Sequence, residues 1–377
     1  MLSKRQNVKL QILREDHEYV SQFINEFLEK DRSFIKEMYI DMYNELTPNF
    51  IHQGVEHVHF GDYLRTSLDC SLIPSSVKRL NIEKCYNFDF ILTPTTLHNT
   101  LVELNLFKAK EPFPPGLLPK SLTKFTIKSY DHTLVNGVLP CALKYLGMNN
   151  LKNCEPNFKF PDSIQTLSTM CSVVMDHIPQ NVKNLLLKGD VCISRPLPKT
   201  LSTMEYSVFS TSYDFTNWLF NTQLTSLSLS ITNCYPIDIK QGMFPESLLQ
   251  LSIHQFRGNI KANGLPSSLR ELDLSFHMDQ KEIKSLYLPN SLKKLRLNFS
   301  FKIHFKNSLV LPDNLKDLEI ESDNLDLLKG CSFPASLEKL KVPYKILPKK
   351  ITMPNLLSVK YYIEPNTILK KPIFQHP

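Results

Sequence analysis

A solenoid of stacked short repeats is the fold the sequence predicts, and three observations predict it. Eleven times a proline stands three residues before an aliphatic residue that opens the pattern aliphatic-x-x-apolar-x-apolar, as in Pro266-Ser-Ser-Leu269-Arg-Glu-Leu272-Asp-Leu274. Weaker copies without the aligned proline bring the opening residues, or anchors, to Val55, Val77, Leu101, Leu122, Leu143, Ile164, Val182, Leu201, Leu224, Leu248, Leu269, Leu292, Leu315, Leu337 and Leu356. Neighbouring anchors lie 18 to 24 residues apart, which is the leucine-rich-repeat period. A unit this short cannot bury its own apolar face, so the units must stack. The expected architecture is leucine-rich-repeat-like, with about 15 short parallel β-strands in one curved sheet, mostly irregular convex returns and an N-terminal α-helical cap.

Three regions follow from this reading: residues 1–50 as the helical cap, 51–363 as the solenoid and 364–377 as a C-terminal tail. Over residues 17–46, Val20, Phe23, Ile24, Phe27, Leu28, Phe34, Ile35, Met38, Met42 and Leu46 recur at three- and four-residue steps, the helical period. Lys30-Asp-Arg-Ser33 breaks the stripe, giving two short helices with Asp31 or Ser33 capping the second. Nine acidic residues between 14 and 46 make this pair amphipathic, suited to cover the first repeat.

Counting the anchor as position 0, apolar residues at 0, +3 and +5 with polar residues at +2 and +4 describe a strand whose apolar side chains turn inward. The proline three residues earlier precedes the ladder, where its missing N–H removes no sheet hydrogen bond. About a dozen residues return the chain to the next strand, rich in Pro, Gly and Asn, as in Phe256-Arg-Gly-Asn-Ile-Lys-Ala-Asn-Gly264, so these returns are expected to lack α-helix. Glycines just before the proline (Gly116, Gly137, Gly242, Gly264 and Gly330) are expected to turn through positive φ.

The composition, with 42% hydrophobic and 21% charged residues, fits a folded chain. Neither a signal-peptide core nor an apolar run of membrane-spanning length is present in the sequence, so a soluble, intracellular, cytoplasmic setting is expected. The eight cysteines are scattered without CxxC pairs, as expected of free thiols.

Several returns resemble those of the FNIP-repeat proteins, whose units are leucine-rich-repeat-like. The matching element is an aromatic, a few polar residues, an aliphatic, then Gly-x-aliphatic-Pro-x-Ser-Leu. It stands here as Tyr130-Asp-His-Thr-Leu134-Val-Asn-Gly137-Val-Leu-Pro140-Cys-Ala-Leu143 and as Tyr235-Pro-Ile-Asp-Ile239-Lys-Gln-Gly242-Met-Phe-Pro245-Glu-Ser-Leu248. The resemblance spans roughly residues 51 to 360 and implies binding surfaces with no catalytic residues to carry over. The asparagine that ordinary leucine-rich repeats place at +8 is missing, being Tyr130, Phe256 or His277, for example.

Positions +2, +4 and +6 of each repeat form outward columns about 4.8 Å apart from strand to strand. Towards the C-terminus their signs alternate: Glu271 and Asp273, Lys294 and Arg296, Asp317, Glu319 and Glu321, then Lys339 and Lys341. That is the pattern of a self-neutralising ladder. The middle is nearly uncharged, and its outward residues Thr166, Ser168, Met170, Asn184, Lys188, Thr203, Glu205, Ser207, Ser226, Ser228, Ser230, Gln250, Ser252 and His254 are the candidate partner-binding set.

Interleaved acidic strands argue against nucleic acid, which calls for same-sign cations along a groove. P-loop, HExxH, GxSxG and glycine-rich nucleotide motifs are all missing from the sequence. His57 and His59 share a strand face without an obvious third metal ligand. The expectation is a non-catalytic scaffold without cofactor, presenting its sheet face to a partner protein and having no membrane association. The alternative is a ubiquitin-ligase substrate adaptor in which residues 14–46 form an F-box-like helix pair.

Overall fold

A computed structural model describes residues 8–12, 26, 31–41, 46–62, 72–83, 97–193, 195–208, 219, 222–231, 236–299, 303–306, 309–322, 331–343 and 355–362. The chain divides into two compact units, residues 1–201 and 202–377.

The first unit holds nine strands: β1 (Val8–Ile12), β2 (Ile35–Ile40), β3 (His57–Phe60), β4 (Arg79–Ile82), β5 (Glu103–Lys108), β6 (Lys124–Leu134), β7 (Tyr145–Cys154), β8 (Thr166–Thr169) and β9 (Asn184–Lys188). Each pairs in parallel with its neighbour in sequence. The second unit repeats the scheme with β10 (Thr203–Val208), β11 (Ser226–Ile231), β12 (Gln250–Phe256), β13 (Glu271–Phe276), β15 (Lys294–Phe299), β17 (Asp317–Ser322), β18 (Lys339–Pro343) and β19 (Ser358–Tyr362). Two short strands in its returns, β14 (Glu282–Ile283) and β16 (His304–Phe305), pair separately. Both units are thus parallel β-solenoids.

All fifteen expected strands form, and each begins two residues after its anchor. The anchor itself closes a turn. In all eleven proline-containing repeats its N–H donates to the proline carbonyl three residues back, for example Leu292 to Pro289 at 3.1 Å and Leu122 to Pro119 at 3.1 Å. The proline therefore does more than stay clear of the ladder, because it presets φ at the start of the turn that delivers the strand. His52 and His98 supply the same carbonyl to Val55 and Leu101 without a proline.

Anchor, +3 and +5 residues form the core. Leu292, Leu295 and Leu297 are fully buried, as are Leu315, Leu318 and Ile320. Burying each such side chain contributes about 1.5–3 kcal/mol before entropy is counted. Residues at +7 and +8 add a second, aromatic layer in place of asparagines. Phe256, Phe276 and Phe299 follow one another at centroid distances of 5.7 and 5.9 Å, and Phe305, in the return after Phe299, lies 6.2 Å from it. Phe256 is eight residues past its anchor and Phe276 seven, and the ladder shifts by one residue between Ile253 and Phe256 to align them. Gln255, at φ 60, takes up the extra residue. In the first unit the Phe113 N–H donates to the buried Tyr130 hydroxyl at 2.9 Å.

The second helix of the expected N-terminal cap does not form. Residues 35–40, expected in the second helix, are strand β2, and β1 lies beside it. Asp31 does accept a hydrogen bond from the Ser33 N–H at 3.0 Å, but the turn it shapes leads into β2, with the Ile35 N–H donating to the Arg32 carbonyl at 2.9 Å. This is the repeat turn again. Ile35-Lys-Glu-Met38-Tyr-Ile40 carries apolar residues at 0, +3 and +5, and the ladder pairs Glu37 with His57, so Ile35 is one more anchor. An apolar step of three suits a helix and this strand equally, and burial against β3 decides for the strand. The expected first helix lies outside the described residues except for Glu26, which is helical, and the tail 364–377 lies outside them as well.

In the returns, residues Ser172–Met175 form a helix of four residues, α1, and Leu219 is also helical. Gly116, Gly137 and Gly242 have φ of 79, 83 and 82. At the corresponding place in the next return, positive φ instead falls on Asn263, at φ 57. Gly264 serves closeness there, since a Cβ would sit 2.6 Å from the Ile239 carbonyl oxygen. Gly330 lies outside the described residues.

Candidate binding face

Serine and threonine hydroxyls tie successive repeats together beside the ladder. The residue just before the anchor donates to the anchor carbonyl of the preceding repeat: Ser121 Oγ to Leu101 at 2.6 Å, Ser163 to Leu143 at 2.6 Å, Ser268 to Leu248 at 2.8 Å and Ser291 to Leu269 at 2.7 Å. Thr200 does the same to Val182 at 2.9 Å. These bonds satisfy carbonyls that lie just outside the sheet. The sequence carried this signal as the Ser of Pro-x-Ser-Leu, although its role was legible only with the carbonyl in place.

In-register pairing carries the outward columns as expected. In the second unit Glu271 pairs with Lys294, and Lys294 with Asp317. One column over, Asp273, Arg296, Glu319 and Lys341 face one another in turn. Arg296 lies 3.7 Å from Asp273, 3.8 Å from Glu319 and 3.0 Å from Glu321, and Lys341 Nζ contacts Glu319. The hydrogen bond from Arg296 to Glu321, with the neighbouring carboxylates, holds the guanidinium above its ordinary pKa. Burial pushes the Asp273 carboxyl up, against the pull of Arg296.

Charge pairing extends to the first unit, which the sequence reading did not single out. Glu103 takes Lys124 at 2.8 Å and Arg79 at 3.7 Å, one strand to either side. Burial raises its pKa, but hydrogen bonds from Lys124 and Asn105 and the charges of Lys124 and Arg79 outweigh it, and the net shift is downward. His59 lies 3.5 Å from Glu37, which also holds Lys9 at 2.8 Å. Burial lowers the His59 pKa against the pull of Glu37. Lys128 meets Glu83 at 3.3 Å. Among the described residues no group of three or more His, Cys, Asp or Glu could hold a metal ion, and no helix is long and apolar enough to cross a membrane.

The candidate set falls into two parts. In the first unit, Thr166 on β8 pairs with Asn184 on β9, whose Nδ2 donates to Thr166 Oγ1 at 3.1 Å. Ser168 is buried at 7% exposure, Met170 is 43% exposed and Lys188 is exposed. Leu186, opposite Ser168, is a half-buried apolar residue on this outward column, and the sequence reading passed over it.

In the second unit, β10, β11 and β12 bring Thr203, Ser226 and Gln250 into one column, Glu205, Ser228 and Ser252 into the next, and Ser207, Ser230 and His254 into a third. The side chains of Thr203, Ser207, Ser226, Ser228, Ser230 and Ser252 are half-buried and, among the described residues, make no hydrogen bond within the protein. Gln250 Nε2 donates to Glu271 at 3.3 Å, at the border with the charged ladder. The result is a patch of unspent hydroxyl donors and acceptors beside a ladder whose charges are already paired.

No protein-family model matches the chain, and no curated protein matches it. Among solved structures the chain is similar to CroV588, described as a novel circular leucine-rich-repeat protein, with a TM-score of 0.58 at 20% identity. That match covers 87% of this chain and 56% of the other, so the chain spans about half the length of CroV588. YopM from Yersinia enterocolitica WA-314 follows with a TM-score of 0.42 at 18% identity, covering 81% of this chain and 66% of that one. A leucine-rich-repeat protein from Bacteroides ovatus ATCC 8483 gives 0.21 at 13%, covering 86% and 88%. The ladder register, the buried 0, +3, +5 core and the likeness to CroV588 agree: this chain is a leucine-rich-repeat-like solenoid protein.

Proposed function

We propose that the chain is a non-catalytic scaffold that binds a partner protein through the uncharged strands of its ladder face. One observation carries this reading, namely the six outward hydroxyl side chains of β10, β11 and β12 that, among the described residues, have no hydrogen-bond partner. Hydroxyl groups set in register on strands about 4.8 Å apart in a preformed sheet lose little freedom on binding, which lowers the cost of recognition. The adjacent Asp273, Arg296, Glu319 and Lys341 are mutually neutralised, so they discourage partners that rely on one sign of charge.

The outward residues of the first unit, Thr166, Ser168, Met170, Asn184 and Lys188, form a second candidate region within this proposal. Met170 supplies an exposed, adaptable apolar contact there. FNIP-type repeats belong to the same proposal, supported by the Gly-x-aliphatic-Pro-x-Ser-Leu elements and their closed turns.

Proximity labelling with the full chain as bait, repeated with Ser226→Arg, Ser228→Arg and His254→Ala, tests the proposal. Loss of the same labelled proteins in all three variants, at unchanged melting temperature, is the expected result. Retention of the full labelled set would place recognition elsewhere.

A further inference from the structure

Glu205 is the one Asp, Glu, Lys or Arg residue on strands β10, β11 and β12. It is exposed and, among the described residues, makes no ion pair and no hydrogen bond. Other acids of the ladder face are treated differently. Glu37 has Lys9, Glu103 has Lys124, Asp273 has Arg296 and Glu319 has Lys341, each from an adjoining strand. Opposite Glu205 the ladder places Ser228 instead. The column continues through Ser252 before it reaches Asp273, three strand spacings or about 14 Å away.

What surrounds this carboxylate is hydroxyl. Met204 and Tyr206 are buried in the core, so alternation turns Thr203, Glu205 and Ser207 outward on one face of β10. Ser228 faces Glu205 from β11, and Ser226 and Ser230 stand diagonally, in register with Thr203 and Ser207. All five hydroxyl residues are half-buried, and among the described residues their side chains make no hydrogen bond within the protein. Their oxygens are therefore open as acceptors around a charge that the fold leaves alone.

We propose that the partner protein docks on β10 and β11 by seating one arginine side chain on Glu205, within a segment that is otherwise polar and uncharged. This rests on the scaffold reading above and names the chemistry of its partner. A guanidinium carries five N–H donors in a planar fork. Two meet the carboxylate and the other three find hydroxyl oxygens to either side, a spread that the compact lysine ammonium cannot cover. Binding there pairs a free charge, whereas at Glu103 or Glu319 it would have to displace an internal cation. An acidic flank on the partner would meet Glu205 as a like charge, and further basic residues would find hydroxyls alone, so uncharged flanks fit best.

Selection of heptapeptides from a random phage-displayed library on the immobilised full chain tests this. Enrichment of a single arginine among Ser, Thr, Asn and Gln is expected. The most enriched peptide is then made with a fluorescein label, its arginine kept or replaced by lysine or by neutral citrulline, and anisotropy is expected to show about tenfold weaker binding for each replacement. Glu205→Gln, at an exposed position, is expected to weaken the arginine peptide to the same degree at unchanged melting temperature, and Glu205→Arg to turn the selection towards Asp and Glu. Ser207→Ala with Ser228→Ala is expected to erase the preference for arginine over lysine. Selection without arginine, equal binding of the lysine or citrulline peptide, or full binding by Glu205→Gln overturns the proposal. Proximity labelling separates it from the scaffold reading. If Ser228→Arg loses the labelled proteins and Glu205→Gln keeps them, the ladder face binds its partner without an arginine seat; if neither variant loses them, both readings fall.

Discussion

Ser291 Oγ donates a 2.7 Å hydrogen bond to the carbonyl of Leu269, one full repeat earlier in the chain. The Leu269 carbonyl sits two residues before β13, outside the ladder, so this hydroxyl is its partner. Ser291→Ala is expected to lower unfolding stability by about 0.5–1.5 kcal/mol. Ser291→Thr is expected to be near neutral, because Thr200 already fills the same role. Urea titrations of the two variants check both.

Pro289 presets the turn that its carbonyl closes with the Leu292 N–H. Pro289→Ala keeps the carbonyl but frees the unfolded chain, so a loss of about 0.4–1 kcal/mol is expected. Val55 and Leu101 make the same turn on His52 and His98, so the ladder itself should survive, with unchanged far-ultraviolet circular dichroism as the check.

Glu103 and Asp273 should give opposite pH dependences. The folded pKa of Glu103 is below its ordinary value, so its stabilisation is complete above about pH 4.3 and is lost as pH falls through the folded pKa. Glu103→Gln is therefore expected to be less stable than the parent at pH 7, with the two curves converging in acid. Asp273 has its folded pKa raised by burial, so its charge costs stability at neutral pH and the cost disappears as pH falls through the folded value. Asp273→Asn is expected to match or exceed the parent at pH 7, since Arg296 keeps Glu319 and Glu321. Denaturant midpoints between pH 3 and 7 distinguish the two signs.

Thiol reactivity should follow burial. Desolvation pushes Cys154 and Cys331 up to about 11, and the Cys331 thiol also donates to the Leu309 carbonyl at 3.1 Å. Cys141 and Cys192 are exposed. Timed alkylation with iodoacetamide at pH 8, followed by peptide mass mapping, is expected to modify Cys141 and Cys192 well before Cys154 and Cys331. Equal rates would show that the repeats open locally faster than the reagent reacts.

The strand positions were legible because the anchor pattern repeats; a single copy was not. Ile35, Met38 and Ile40 have the spacing of every other repeat, yet within an acidic segment the step from 35 to 38 reads as helix, and only the partner strand distinguishes the two. The column pairs from Glu271 to Lys341 could be written down in advance because parallel register fixes what faces what. The bridges that join Ile239 to Ile260 and Ile260 to Leu286 could not, since they depend on how irregular returns from three repeats approach one another, and no period governs that. The aromatic layer of Phe256, Phe276 and Phe299 was likewise hidden by a one-residue offset that the backbone absorbs at Gln255.

The hydroxyl links all run from a later repeat back to an earlier one, so the array has a growing end. Each coil presents an open carbonyl until the next coil emerges behind it during synthesis. A cut between coils therefore leaves one acceptor bare, whereas removal of a whole period restores the link. Excising residues 266–288 would join Leu265 directly to Pro289, recreating the Leu-Pro step found at Leu288 and Pro289 and presenting Ser291 to the Leu248 carbonyl that Ser268 now holds. We expect this chain to tolerate shortening by entire coils and to resist it by fractions of one, a rule of length set by a single side-chain oxygen.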